Sequence, residues 1–274
     1  MERLIVFTDL DGTLLDHHSY KWTPAEPALR RLRGRGIPVV VCTSKTRAEV
    51  LPLRKELGLR DPFVAENGGA IYIPRNYFPF ALPTARVDAG FQVLELGQRY
   101  QKLVRALDEA AKTSGVQVRG FSRMSEKEVA TACGLSRIAA RLARKREYDE
   151  PFTLEKGTPR QQERFFRWLQ QRGLRWREGG RFYHLMGDND KGVAVTRLLA
   201  LYRQQYGEIR SVGLGDSPND VDFLAVVDSP LLVAKPDGSH DWGVRTAVPG
   251  VTLVPGPGPV GWNQAMLELL QQAE

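Results

Sequence analysis

The chain has 274 residues, 42% of them hydrophobic, enough for one large domain or two medium ones with a proper core. Its net charge of +7, from 39 basic and 32 acidic residues, favours anionic small molecules, and with no long block of like charge no nucleic-acid partner is expected. No apolar run approaches the ~20 residues that cross a bilayer, and Asp9 comes too soon for a signal-peptide core, so no membrane partner is expected. Cys42 and Cys133 have neither disulfide nor metal-ligand spacing, and a buried thiol after Val39-Val40-Val41 suits a reducing cytoplasm.

The predicted elements begin with residues 4–9, a short apolar run stopped by polar residues, as in a fully buried strand. Pro24 to Arg35 carries Ala28, Leu29 and Leu32 at helical spacing and ends in glycine. A second buried strand covers Ile37 to Cys42, a second helix Thr46 to Leu57, and a third strand Phe63-Val64-Ala65, before a tight turn at Glu66-Asn67-Gly68-Gly69. Continuous apolar strands alternating with helices imply a parallel sheet covered on both faces.

From 83 to 187 the pattern becomes an α+β unit with an antiparallel sheet. Strands are predicted at 91–96, 116–119 and 152–155, and helices at 99–112, from Ser125 and at 159–172. Ser125 and Glu128 have capping-box spacing. Leu174–Arg177 and Arg181–Met186, joined through Gly179-Gly180, read as a hairpin. From Lys191 the earlier alternation resumes, with a helix at 192–206, a buried strand at 209–215, a polar loop at 216–220 and a helix that includes Phe223 and Leu224. A core strand at 231–234, a loop at Pro255–Pro259 and a last helix at 262–272 follow. The fold class is therefore α/β: a doubly wound parallel-sheet core, 1–82 and 188–274, split by an inserted α+β domain, 83–187.

Four separated features end up at the strand ends of such a sheet, where ligands bind. They are Asp9 and Asp11 after the first strand, Thr43-Ser44 after the second, Lys191 at a helix start, and Gly215-Asp216-Ser217-Pro218-Asn219-Asp220 after a late strand. Two carboxylates at the mouth of a buried strand are costly unless a cation sits between them. A phosphoryl group at that edge would meet a nucleophilic carboxylate, a hydroxyl donor, an ammonium and a metal. Taken singly the residues say little, since most lysines are surface charges and Asp-x-Asp pairs are common in solvated loops. His184 reads as a sheet residue, while Arg141–Arg146 and the Arg164, Arg167, Trp168 cluster read as solvated helix faces.

The Asp-Leu-Asp-Gly-Thr-Leu run at 9–14 and the Gly-Asp-Ser-Pro-Asn-Asp run at 215–220, with Thr43 and Lys191 between them, resemble the four ordered motifs of the haloacid-dehalogenase (HAD)-like phosphatases. The size of the insertion and Glu66-Asn67-Gly68-Gly69 are similar to the sugar-phosphatase branch, in which the inserted domain is a cap on a Rossmann-like core. More narrowly, Cys42-Thr-Ser-Lys-Thr46 and Arg146-Glu-Tyr-Asp-Glu-Pro-Phe152 resemble the mannosyl-3-phosphoglycerate phosphatase family. The second motif departs from the branch, carrying Thr43-Ser44-Lys45 where many members have Thr-Gly-Arg.

The resemblance implies a Mg²⁺-dependent phosphoric monoester hydrolase. Asp9 would attack phosphorus and form an aspartyl-phosphate. Asp11 would protonate the leaving alkoxide and then activate water. The metal set would be Asp9, Asp11 through its backbone carbonyl, and Asp216, with Asn219 and Asp220 beside it; Asp220 could equally pair with Lys191. Thr43 and Lys191 would hold phosphoryl oxygens, with Ser44 and Lys45 close enough to share substrate contacts. The substrate would be a phosphorylated glycosyl-glycerate, whose carboxylate calls for an arginine, with Arg146 and Arg167 as candidates. A monomer or a homodimer is expected. The alternative within enzymes is another sugar-phosphate or a glucosyl-3-phosphoglycerate phosphatase. The rival class is a non-catalytic anion- or nucleic-acid-binding protein, and the intact catalytic set argues against it.

Overall fold

The computed structural model describes residues 2–178 and 181–272. The chain runs β1 (Arg3–Thr8), α1 (Glu26–Gly34), β2 (Val39–Cys42), α2 (Arg47–Leu57), β3 (Phe63–Ala65), β4 (Ala70–Pro74), β5 (Arg86–Asp88) and β6 (Phe91–Glu95). The inserted part follows as α3 (Tyr100–Ser114), β7 (Gln117–Gly120), α4 (Glu126–Cys133), α5 (Arg137–Ala143), β8 (Glu150–Lys156), α6 (Pro159–Gln170), β9 (Arg175–Glu178) and β10 (Tyr183–Met186). The chain then returns through α7 (Lys191–Tyr206), β11 (Ile209–Gly215), α8 (Val221–Leu224), β12 (Ser229–Ala234), α9 (Trp242–Ala247), β13 (Thr252–Pro257) and α10 (Gly258–Gln272).

A nine-stranded sheet in the order β13-β12-β11-β1-β2-β3-β4-β6-β5 forms the core. It is parallel from β13 to β3 and antiparallel from β3 to β5. Both faces are covered. Val6 and Val41 point into one apolar layer with Leu29, Leu32 and Trp262, from α1 and α10. Ile5, Phe7, Val40 and Cys42 point into the other with Leu198, Tyr202 and Phe223, from α7 and α8. This two-sided burial is why the strands read as unbroken apolar runs. The parallel register of β1 and β11, Thr8 beside Leu214, delivers Asp9 and Asp216 to the same edge.

The inserted cap is a four-stranded antiparallel sheet, β7-β8-β10-β9, backed by α3 and α6. Leu107, Phe152, Phe165 and Leu185 fill the space between helices and sheet. The chain enters and leaves this cap side by side. A Cβ on Gly97 would lie 2.8 Å from Asn189 Oδ1, and one on Gly187 would lie 2.8 Å from the Gln98 nitrogen. No helix of the described residues is long and apolar enough to cross a membrane.

The expected start of the insertion at 83 cuts through the core sheet. β6 pairs with β4, from Ala70–Glu95 to Pro74–Phe91, so β5 and β6 extend the large sheet and the cap sheet begins later. The expected loop at Pro255–Pro259 is instead the end of β13 and the start of α10. β13 lies at the sheet edge, where a proline needs no donor for the open side. The predicted Gly179-Gly180 turn lies outside the described residues, although β9 and β10 do pair antiparallel as a hairpin requires.

Candidate active site

Asp9 stands at the mouth of β1, and its N–H donates to the Leu214 carbonyl at 2.9 Å. The chain then turns at Gly12, which has a φ of +82° and a Cβ position only 2.6 Å from Asp216 Oδ2. Only a glycine lets this loop lie against the loop after β11. Thr13 Oγ1 donates to Asp216 Oδ1 at 3.0 Å and fixes that carboxylate.

Lys191 opens α7, capped by Asp190, whose carboxylate accepts the Val193 N–H at 2.8 Å. The Lys191 ammonium donates to Asp9 Oδ1 and Asp220 Oδ1, each at 2.7 Å. Asp220 Oδ2 accepts the backbone N–H groups of Asp216 and Ser217 at 3.0 and 3.2 Å. Both Asp220 oxygens are thus engaged, which makes it the anchor of Lys191 and of the Asp216 loop.

Carboxylate oxygens of Asp9, Asp216 and Asp220 lie within 4.8 Å of one another, all buried, against the single ammonium of Lys191. Burial and then the charge of Asp220 push Asp9 well above its ordinary range. The same two causes push Asp216 up to about 7. Burial opposes the charge on Lys191, but Asp220 and Asp9 more than offset it and hold the ammonium above its usual value. Three carboxylates against one cation leave an excess of negative charge that an oxygen-loving divalent ion would cancel, so this group could hold a metal. Asp9 and Asp216, whose oxygens are less fully committed than those of Asp220, fit such an ion best.

The other expected residues are placed as follows. Asp11 Oδ2 pairs with Lys45 Nζ at 2.7 Å, and its buried Oδ1 has no hydrogen-bond partner. Thr43 is buried after β2, with its hydroxyl accepting the Lys45 N–H at 3.1 Å. Asn219 Oδ1 accepts the Ser217 hydroxyl at 2.7 Å. A cavity of about 310 Å³ opens in front of these loops. Ser44, Asn67 and Asn219 wall its core side, while Arg177 and His184 from the cap hairpin wall the other. Asp9, Lys191 and Asp216 are buried, and Asp216 directly precedes Ser217 of the cavity wall.

Neither arginine offered for the substrate carboxylate lines this cavity. Arg146 is on no solvated helix face: its side chain is 8% exposed, and its Nη1 donates to the Ser44 carbonyl at 2.9 Å and to Asp149 at 3.3 Å. Its charge is cancelled internally, and it braces the second-motif loop from beneath. Arg167 does lie on an exposed face of α6, paired with Glu163 at 2.6 Å and away from the cavity.

Sequence reasoning missed Arg177, and it gave Glu66 only as part of a turn. Trp176-Arg177 opposite His184-Leu185 alternates apolar and polar, and that alternation is the signal for a second, cavity-facing side of the hairpin. Glu66 is buried, with a left-handed φ of +50°, and accepts the backbone N–H groups of Glu147 and Tyr148. It ties the turn after β3 to the cap, a role that no local pattern announces.

A model of haloacid dehalogenase-like hydrolases matches residues 6–102. The chain is 42% identical over 266 residues to a glucosyl-3-phosphoglycerate/mannosyl-3-phosphoglycerate phosphatase of Methanococcoides burtonii, covering 97% of each. It is 37% identical over 229 residues to a mannosyl-3-phosphoglycerate phosphatase of Pyrococcus furiosus, covering 84% of this chain and 90% of that one. It shares the fold of a solved HAD subclass IIB sugar phosphatase, with a TM-score of 0.66 at 16% identity over 97% of this chain and 98% of the other. The chain belongs to the haloacid dehalogenase-like hydrolase family. The two relatives just described are named phosphatases, and the chain is a phosphoric monoester hydrolase.

Proposed function

We propose that this hydrolase converts mannosyl-3-phosphoglycerate, or its glucosyl counterpart, to the glycosylglycerate and phosphate, with Mg²⁺ and through an aspartyl-phosphate on Asp9. The observation that carries the reading is the buried Asp9–Lys191–Asp216 group, whose loop continues through Ser217 into the wall of a cavity between cap and core. The substrate class is supported by the relatives at 42% and 37% identity, whose names carry these two phosphoglycerates.

Asp9 attacks phosphorus, and the bond from phosphorus to the glycerate oxygen breaks. Asp11 gives that oxygen a proton, then takes one from the water that attacks the phosphoryl-aspartate. Its contact with Lys45 ties its carboxyl to the second-motif loop after β2. Lys191 and Thr43 hold the non-bridging oxygens while charge spreads over them. Asp9, the Asp11 backbone carbonyl and Asp216 would hold Mg²⁺, whose charge would offset the excess carboxylate charge and ease the meeting of an anionic nucleophile with an anionic phosphate. The cap shields the phosphoryl-enzyme from bulk water.

The test is phosphate release from mannosyl- and glucosyl-3-phosphoglycerate, hexose phosphates and an aryl phosphate, each with and without EDTA. The glycosyl-phosphoglycerates are expected to exceed the hexose phosphates in kcat/KM by about a hundredfold or more, the scale of discrimination that placed polar contacts give. A preference for hexose phosphates, or turnover that survives EDTA, would overturn the reading.

A further inference from the structure

A phosphoglycerate ester carries a carboxylate near its phosphate, and neither Arg146, committed to Ser44 and Asp149, nor Arg167, out on α6, is free in the cavity to meet it. Arg177 is placed to do so. It stands directly opposite His184 across the β9–β10 pair, so the two side chains share one face of the sheet. The opposite face buries Trp176, Tyr183 and Leu185 against the cap helices. Packing therefore decides which face looks at the core, and both Arg177 and His184 line the cavity.

The site is braced on each side. His184 Nδ1–H donates to Asp149 Oδ2 at 2.8 Å, and Asp149 is fully buried. Arg146 links that same carboxylate to the Ser44 carbonyl in the second-motif loop. Arg177 itself is held at the cavity rim by an ion pair from Nη2 to Asp222 on α8. One edge of its fork is occupied, and among the described residues no other partner takes the remaining N–H groups, which suit a second carboxylate.

We propose that Arg177 receives the carboxylate of the substrate's glycerate arm, with the braced His184 walling the same subsite; this rests on the phosphoglycerate reading above. Asp222 keeps the guanidinium in place, and the incoming carboxylate takes its free edge. The subsite discriminates esters that carry an acid two carbons from the phosphate-bearing carbon from those that do not.

The test uses two small probes, 3-phosphoglycerate and glycerol 3-phosphate, which differ in that acid group. Calorimetry on the Asp9→Asn protein with Mg²⁺ measures binding free of turnover. The acid is expected to bind about tenfold tighter or more, the size of a charge-assisted hydrogen bond. Adding Arg177→Gln is expected to bring the two affinities together, Arg177→Lys to restore part of the gap, and Asp222→Asn to keep it. A merely structural role weakens both probes alike and leaves the ratio unchanged, which would overturn the proposal. So would the absence of any gap before Arg177 is changed. If Arg177→Gln does not fold, phenylglyoxal labelling of the unmutated protein decides: protection of Arg177 by 3-phosphoglycerate alone supports the subsite, and equal or no protection by both probes sinks it. A wild type that prefers hexose phosphates yet keeps the gap loses the substrate reading and retains the subsite. One that prefers glycosyl-phosphoglycerates but shows no Arg177 effect does the reverse.

Discussion

Asp220 and Lys191 form a 2.7 Å ion pair in which neither side chain is more than 1% exposed. Removing Asp220 leaves the buried Lys191 ammonium with Asp9 alone, and breaking a buried pair is costly in a low-dielectric interior. Asp220→Ala is expected to lower stability by about 3–5 kcal/mol and to free the Asp216 loop, whose backbone N–H groups it holds. Asp220→Asn keeps an acceptor and should cost less. Denaturant midpoints of the two variants check the order.

Asp9→Asn is expected to cut turnover by at least ~10³-fold, the scale seen when a nucleophile is removed. The protein should melt no lower than wild type without Mg²⁺, because burial and the charges of Asp220 and Asp216 already disfavour a charged Asp9. Phosphate release and a thermal scan on the same sample separate the two effects. Wild-type turnover in the variant would eliminate the covalent route.

The acidic cluster links metal, proton and stability. Asp216 is raised from 3.8 to about 7 when folded, so the metal-free folded state binds a proton that the unfolded chain has released. Its stability contribution is present below about pH 4 and is lost as pH climbs through about 7. Mg²⁺ bound at Asp216 would replace that proton, so the gain in Tm on adding Mg²⁺ should be larger at pH 8 than at pH 6. A gain independent of pH would exclude Asp216 from the metal site.

Gly12→Ala tests the close approach of two catalytic loops. The new methyl group would meet Asp216 Oδ2 at 2.6 Å from a backbone with φ of +82°. The expected cost is about 1–3 kcal/mol of strain together with a higher Mg²⁺ concentration for half-maximal rate. Tm and a Mg²⁺ titration of turnover read both.

Much of the acidic cluster at the sheet edge was legible because its residues sit beside strands that are unmistakably buried. Phe63–Ala65 and Ile209–Gly215 appear with the bounds their apolar runs predict, and Ser125 with Glu128 makes the expected capping box. What failed was partnership. β6 carries the half-apolar pattern of a cap strand, and only pairing with β4 assigns it to the core. Arg146 looks like surface charge until Asp149 and the Ser44 carbonyl are brought around it. Arg177 lies in a segment whose alternation is plain, but nothing local says which side meets the cavity.

The neighbouring passage of Gly97 and Gly187 has an evolutionary consequence. Asp9, Thr43, Lys191 and Asp216 all hang from strands or helices outside the insert, and the two severed ends would be close enough for a short splice. The piece between them could therefore be shortened, lengthened or exchanged while the buried acidic cluster keeps its own supports.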